Sequence, residues 1–571
     1  MTNETDIATE QNNTSGGERL SKRNFFMFPL GTLGRDFLYN FFNGYLLSFV
    51  LFTKTLTVAQ FSSISIIIVL ARIFDALNDP LMGGIVENTR TKWGKYKPWQ
   101  LIGAVSTSVV IVLLFNVNLD GWAFIAFLAV CYFLFSITFT MNDISYWGML
   151  PSLTSNVDDR NKLTSFTQII CGLGIGLSGL LVPALTTGAI GTALFGSAIK
   201  GYKVLSIVVS LSMLAFQCFT LFGVKEKPLP ELKVKTPPMK IKDMFKVLFK
   251  NDQLLWASLI LLLYNIGVNV FSGGLGMMYS YIEFGYDGLL WTVFAAGFSV
   301  VSTAFTLFYP LFSKKWGRDK TLYSTGIATI IGFLLMLLFG LVVPKIDLFV
   351  VPILNVTINL KYLLMMLAYT IAGWGGGFYL ICVINITNTV EYNEYKTGDR
   401  KEGLIFSLRP FTAKMGSALM QGIISLVYII AGVLAVTDGI SSLENKAIQN
   451  EITAEEKLIS INNLIDGVPE KNKIILLVCM CIIPIVFMAV TLIIYKKKFK
   501  LDEKTMDFML EEIKKRKESE LSSEQVETSE LIPETEQTEL FGDEPTAIDN
   551  FSTQPTPEQP EINTASTEEN G

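Results

Sequence analysis

The sequence predicts an all-α polytopic membrane protein with twelve transmembrane helices in two six-helix halves. Three observations carry that prediction. The 571 residues are 50% apolar and only 17% charged, whereas soluble domains carry roughly 25% charged residues. A dozen stretches reach the ~20 apolar residues that a bilayer span requires. Between those stretches, Lys and Arg alternate loop by loop between crowded and sparse, the asymmetry that orients membrane helices.

The spans are placed at 25–53, 59–87, 99–118, 121–150, 163–187 and 201–223 in the first half. Those of the second half are at 253–282, 290–313, 321–343, 361–390, 404–436 and 473–496. The domains are thus a cytoplasmic N-terminal segment 1–24, a bundle 25–223, a cytoplasmic linker 224–252, a bundle 253–496 and an acidic tail 497–571. The N-terminus has no cleavable signal pattern. Arg90, Lys92, Lys95, Lys97, Arg160, Lys162, Lys314, Lys315, Arg318, Lys320, Lys396, Arg400, Lys401 and the lysine-rich linker all lie on one side. The alternate loops hold scattered lysines such as Lys54, Lys345 and Lys446. Both termini therefore face the cytoplasm of a multi-pass protein in the cell (plasma) membrane.

From Glu518 onward there are fifteen acidic residues and no basic one, so the chain's formal charge of −5 becomes +10 without them. Leu501–Lys517 reads as a juxtamembrane amphipathic helix carrying Leu501, Phe508, Met509 and Ile513. Glu518–Gly571, rich in Glu, Thr, Ser, Gln and Pro, reads as disordered. The polar loop 437–472, on the outer side, has room for a short surface helix. Histidine is absent, which excludes His-based catalysis, His metal sites and a His proton relay. The six cysteines all lie in apolar segments and read as small hydrophobes. No nucleophile–base set appears, so an enzyme is not expected, nor is a nucleic-acid partner.

A repeat supports the two halves. Lys92-Trp93-Gly94-Lys95 follows span two and Lys315-Trp316-Gly317-Arg318 follows span eight, while Asp159-Arg160 and Asp399-Arg400 follow spans four and ten. Two six-helix halves rocking about a central site is a transporter plan, and one chain then makes one pathway as a monomer.

A charge at the bilayer centre costs at least about 2.5–3.5 kcal/mol, so each one points to a function. Asp36 lies midway along span one beside Arg35. Asp75 and Asp79 share one face of span two with Asn78, and Arg72 precedes Asp75 by three residues; residues three and four apart are neighbours on a helix. Asp143 shares a face of span four with Thr140 and Trp147. Two carboxylates, an amide and a hydroxyl are hard oxygen ligands, suited to Na⁺ or another small cation rather than zinc or copper. A bound Na⁺ or one shared proton would offset the repulsion between Asp75 and Asp79. In the competing reading, Arg35 and Arg72 merely pair with these carboxylates and join helices. Tyr39, Tyr146, Trp147 and Tyr379 are candidates to cover the apolar face of a sugar.

These residues also carry a resemblance. Gly34-Arg35-Asp36, the run Ala71-Arg72-Ile73-Phe74-Asp75-Ala76-Leu77-Asn78-Asp79-Pro80, the loop Asn88–Trp99, and Asp143-Ile144-Ser145-Tyr146-Trp147 before Pro151 all take part. So do Lys250–Leu254, Glu391-Tyr392-Asn393-Glu394-Tyr395, Arg400 and Lys414-Met415-Gly416-Ser417. Over about residues 22–500 the chain resembles the glycoside–pentoside–hexuronide:cation symporters, the melibiose permease-like family of the major facilitator superfamily. The resemblance implies that Asp75, Asn78, Asp79 and Thr140 bind a coupling cation. It implies that Asp36, Asp143 and Trp147 bind sugar; Tyr39, Tyr379 and Gln168 are the further substrate-binding candidates. Lys414, Arg72 and Arg400 become coupling or gating residues. Where the melibiose permease has an arginine on span five, this chain has Gln168, which leaves Asp36 and Asp143 without that partner. The tail lacks the phosphotransferase-like regulatory domain of some members, and that regulation is not expected.

The expected function is symport of a sugar or glycoside with Na⁺ or H⁺ by alternating access, with no other cofactor. The four oxygen ligands favour Na⁺. A cation-coupled carrier of an amphipathic lipid and a non-transporting membrane sugar sensor are the alternatives.

Overall fold

A computed structural model describes residues 20–154, 156–225, 249–351, 356–398 and 402–530. The expected linker lies almost wholly outside these residues, as do Arg400 and the last part of the tail. The first half comprises α1 (Lys22–Thr53), α2 (Val58–Asn88), α3 (Lys97–Asn116), α4 (Gly121–Met149), α5 (Val157–Thr186) and α6 (Ala198–Cys218). The second comprises α7 (Asp252–Phe284), α8 (Gly288–Trp316), α9 (Arg318–Val342), α10 (Leu360–Thr397), α11 (Glu402–Ile430) and α12 (Glu470–Lys498).

Eleven helices among the described residues are long and apolar enough to cross a membrane, one fewer than the dozen expected, and α1 is the difference. Arg35, Asp36, Asn40 and Asn43 make α1 more polar, yet its Arg35 and Asp36 are buried. This charged pair is shielded by protein rather than lipid, as intramembrane charges generally are.

Capping side chains extend several helices beyond their apolar runs. Ser21 caps α1 by accepting from the Asn24 N–H. Thr57 and Gln60 form a reciprocal capping box on α2, which satisfies two otherwise orphaned donors. Asn156 caps α5, which starts at Val157, six residues before the apolar stretch, with Asp158 and Asp159 in its first turn. There the helix dipole favours negative charge. The two Trp-Gly repeats turn on the same device: Gly94 has φ 101° and Gly317 φ 79°, left-handed backbone that glycine adopts without strain.

Two features depart from the expected pattern. A short antiparallel hairpin, β1 (Asp347–Val351) with β2 (Val356–Asn359), connects α9 to α10; its β-branched Val350, Val351, Val356, Thr357 and Ile358 suit a strand better than a helix. The expected eleventh span, 404–436, is also too long. α11 stops at Ile430, and Gly432 in left-handed conformation starts a separate helix, Val433–Ile448, followed by Ala454–Asp466. The loop 437–472 is thus a helical pair rather than one short helix.

The halves meet along α2–α11 and α5–α8. At the end away from the lysine-rich loops, the Leu56 N–H donates to Asp438 at 2.9 Å. There the Phe52 ring meets Tyr281 and Tyr286 at 5.5 and 5.4 Å. Glu444 is buried in this region; burial pushes its carboxyl above the ordinary value and Lys457 opposes the shift.

The chain divides into a large unit, Met1–Leu510, and a small one, Glu511–Gly571. In the large unit, Leu501, Met506 and Met509 pack with Tyr392, Tyr395 and Phe499. The Glu503 carboxylate there accepts from the Arg318 N–H at 2.7 Å. Phe508, expected on the apolar face, is 55% exposed. The helix that begins at Glu503 runs to Glu530, so residues 518–530, expected to be disordered, are helical. In the small unit, Lys515 and Glu511 are one turn apart and 3.2 Å from each other, a spacing that supports an exposed helix.

Candidate functional site

Gly34 places the first charged pair. A Cβ at this position would lie 2.3 Å from the Ser212 carbonyl oxygen on α6, so only glycine lets the two backbones approach, as small residues do between membrane helices. The next two residues are thereby set into the interior of the first half. The Arg35 guanidinium, 2% exposed, lies 3.1 Å from Asp36 Oδ2 and 3.2 Å from Asp143 Oδ1 on α4. It also lies over two rings of α4, 4.6 Å from the centroid of Tyr146 and 5.4 Å from that of Trp147. Tyr146 is itself held, its hydroxyl donating to the Phe28 carbonyl at 2.5 Å and its ring stacked on Phe28 at 4.3 Å. Trp147 meets Tyr146 edge-on at 5.7 Å and remains partly exposed.

The second pair lies on α2 and α4 and is reached from the other half. Ser136 Oγ donates to Asp75 Oδ1 at 2.9 Å. Thr140 Oγ1 donates to the same oxygen at 3.2 Å and to Asp79 Oδ1 at 3.4 Å. Lys414 Nζ, from α11, lies 3.0 Å from Asp75 Oδ2 and 2.6 Å from Asp79 Oδ2. Two carboxylates against one ammonium leave one negative charge at the pair. Asn78 Nδ2 is buried without a hydrogen-bond partner. Arg72 turns from this pair to Ser417 Oγ at 3.0 Å and the Asn43 carbonyl at 3.4 Å, so it joins α1, α2 and α11.

The structure therefore brings together Asp36 with Asp143 and Trp147, and Asp75 with Asp79, Thr140 and Lys414. Asp36 and Asp143 share a basic partner, Arg35, as the competing reading of the sequence had it for that arginine. It comes from α1, while Gln168 on α5 is exposed. Tyr39 stacks on Phe139 at 4.7 Å. Tyr379 belongs to the second half, where it receives a hydrogen bond from Arg409 at 3.4 Å and tilts against Tyr264 at 6.3 Å. Arg400 lies outside the described residues.

Three contributors were missed in the sequence. Ser136 stands one turn before Thr140, a spacing that places both on one face and could have found it. Cys171 Sγ lies 4.0 Å from Arg35 Nη2, and Arg409 partners Tyr379; neither had a sequence signal. Among the described residues no group of three or more His, Cys, Asp or Glu is placed to hold a metal ion. The Thr140 hydroxyl stands between the two carboxylates, within hydrogen-bond distance of both.

The profile of the MFS/sugar transport protein family matches residues 27–503. The lactose permease of Leuconostoc lactis is 30% identical over 423 residues, which is 71% of this chain and 62% of that protein. The raffinose carrier protein of Pediococcus pentosaceus is 29% identical over 427 residues, with the same shares of each chain. The chain thus spans about 62% of the length of these curated relatives. Among solved structures, a D-xylose-proton symporter matches with a TM-score of 0.52 at 12% identity, over 79% of this chain and 98% of that one. At that identity the likeness is one of fold.

Proposed function

The chain belongs to the MFS/sugar transport protein family, one of transporters rather than enzymes, and from that premise we propose that it carries a sugar or glycoside across the cell membrane by alternating access, coupled to Na⁺ or H⁺. The observation that carries the coupling is the Lys414 ammonium between Asp75 and Asp79. One cationic side chain of the second half answers two carboxylates of the first and leaves one negative charge for one monovalent cation. A cation entering between these carboxylates competes with Lys414, and so weakens a contact that holds α2 to α11. The hard oxygens of Asp75, Asp79, Thr140 and Asn78 suit Na⁺.

Asp36, Asp143 and Trp147 supply the sugar side of the reading. The two carboxylates accept hydroxyl hydrogen bonds, Trp147 covers the apolar ring face, and Arg35 holds both carboxylates in place. The names of the lactose and raffinose relatives support a sugar cargo. The loop asymmetry of Lys and Arg supports cytoplasmic termini, and the two halves form one pathway within a monomer.

The test is uptake of a panel of labelled glycosides into vesicles under imposed Na⁺ or H⁺ gradients, for wild type and Asp75→Asn. One glycoside should accumulate under one gradient in the wild type, and Asp75→Asn should only equilibrate it. Accumulation by the mutant equal to wild type would remove Asp75 from coupling. If no glycoside moves under any gradient, the sugar reading fails.

A further inference from the structure

The helical pair Val433–Ile448 and Ala454–Asp466 reaches from the second half onto the first at the end away from the lysine-rich loops. Glu444 and Lys457, one on each helix, form an ion pair at 3.1 Å with side chains 0% and 1% exposed. Each also makes one bond to the first half. Glu444 Oε2 accepts from the Ala198 N–H, the first residue of α6, at 2.8 Å. Lys457 Nζ donates at 3.0 Å to the carbonyl of Gly196, which caps the C-terminus of the helix Gly188–Phe195. The carboxylate therefore meets the positive end of one helix and the ammonium the negative end of another, both favourable to the helix dipoles. Around them, Asp438 accepts from the Leu56 N–H at 2.9 Å, and Ser441 and Thr55 hydroxyls meet at 3.1 Å. Asn445 donates to the Thr53 carbonyl at 3.4 Å.

We propose that this helical pair is the latch of that end of the pathway, and that Glu444 and Lys457 are gating residues which hold the halves together and part from Ala198 and Gly196 when the end opens. The inference rests on the alternating-access reading above. The charge pair travels intact with the second half, so opening breaks only its two bonds across the halves and then admits water to both charges. Those bonds set the population of the open form, although they lie apart from the sugar and cation residues.

The experiment places spin labels at Ala59→Cys and Ser442→Cys, both exposed and on opposite sides of the seam, in a chain whose six native cysteines are replaced. Distances are measured by double electron–electron resonance beside uptake of labelled glycosides. Two variants are compared. Glu444→Gln/Lys457→Met removes both charges. Ala198→Pro removes only the N–H that Glu444 accepts, at the first helical position, where proline is tolerated, after an extended Ser197 that suits a residue before proline. Both should raise the long-distance population about tenfold relative to the short one, the effect of losing a hydrogen bond to a charged group, and Lys457→Arg alone, which keeps the charge, should keep the wild-type distances. A variant that melts early is set aside for the other. Unchanged distances in a folded variant, with wild-type uptake intact, would overturn the latch. Absence of uptake by the wild type would instead overturn the transport reading.

Discussion

Arg35 answers two carboxylates with one guanidinium in a place water scarcely reaches. Removing one member of a buried ion pair typically costs about 3–5 kcal/mol, because the remaining charge stays buried and unpaired. Arg35→Gln is therefore expected to lower stability by about 3–5 kcal/mol. Adding Asp36→Asn should recover part of the loss, since residues in contact couple. Thermal unfolding in detergent reads both; additive losses would mean that Arg35 and Asp36 do not act as a unit. Lys414 differs in exposure: its side chain is 20% exposed, so a cation arriving through water can compete for its partners. The sequence marked Asp36, Asp75, Asp79 and Asp143 because charges are rare in apolar runs. It offered Arg35 and Arg72 as their partners but not which carboxylate each would meet: Arg35 reaches Asp143 only where α1 lies beside α4, and Arg72 bonds Ser417 and Asn43 instead.

At the scale of elements, the seam between α1 and α6 is set by Gly34. A larger side chain cannot occupy a position 2.3 Å from the Ser212 carbonyl unless the helices move apart, and Arg35 and Asp36 move with α1. Gly34→Leu is expected to lower the melting temperature and to abolish uptake together, whereas Gly83→Leu, at a glycine with open space around its Cβ, should change neither. The same seam explains why α1 needs its polar residues, since they complete an interior that lipid does not touch. The root of the C-terminal helix is a second packed element. Leu501, Met506 and Met509 are covered by Tyr392, Tyr395 and Phe499, which accounts for the loss of Phe508 from the apolar face: the buried stripe is set by what α10 offers, not by the count of apolar residues.

For the whole molecule, the halves are joined at mid-depth by Lys414 and Arg72 and at one end by the helical pair Val433–Ile448 and Ala454–Asp466. A protein that binds cation and sugar within one such frame must couple them reciprocally. Saturating sugar is therefore expected to tighten cation binding by the same factor by which cation tightens sugar binding, measured by calorimetry on the purified chain. A factor of one in both directions would mean that the two sites are uncoupled. The large unit ends at Leu510, so removal of residues 531–571 should leave the melting temperature and glycoside uptake unchanged. Loss of uptake on that truncation, with the fold intact, would make the tail a part of the transport machinery.

The sequence alone determined the order of the long membrane helices, the internal repeat and the identity of the carboxylates within those helices. These follow from composition, from a helical period of 3.6 residues and from the expense of charge in lipid, all of which act locally along the chain. Gly94 and Gly317 belong to the same repeated loop in the sequence and share a positive φ in the structure. Only the tertiary structure decided that Arg35 pairs with both Asp36 and Asp143, that Lys414 lies between Asp75 and Asp79, and that loop 437–472 is a helical pair bonded to the other half. Each of these joins residues on different helices, and Lys414 lies more than three hundred positions from its partners. Helical period and charge expense fix what each span must bury, but which span it is buried against is settled by close packing of whole helices.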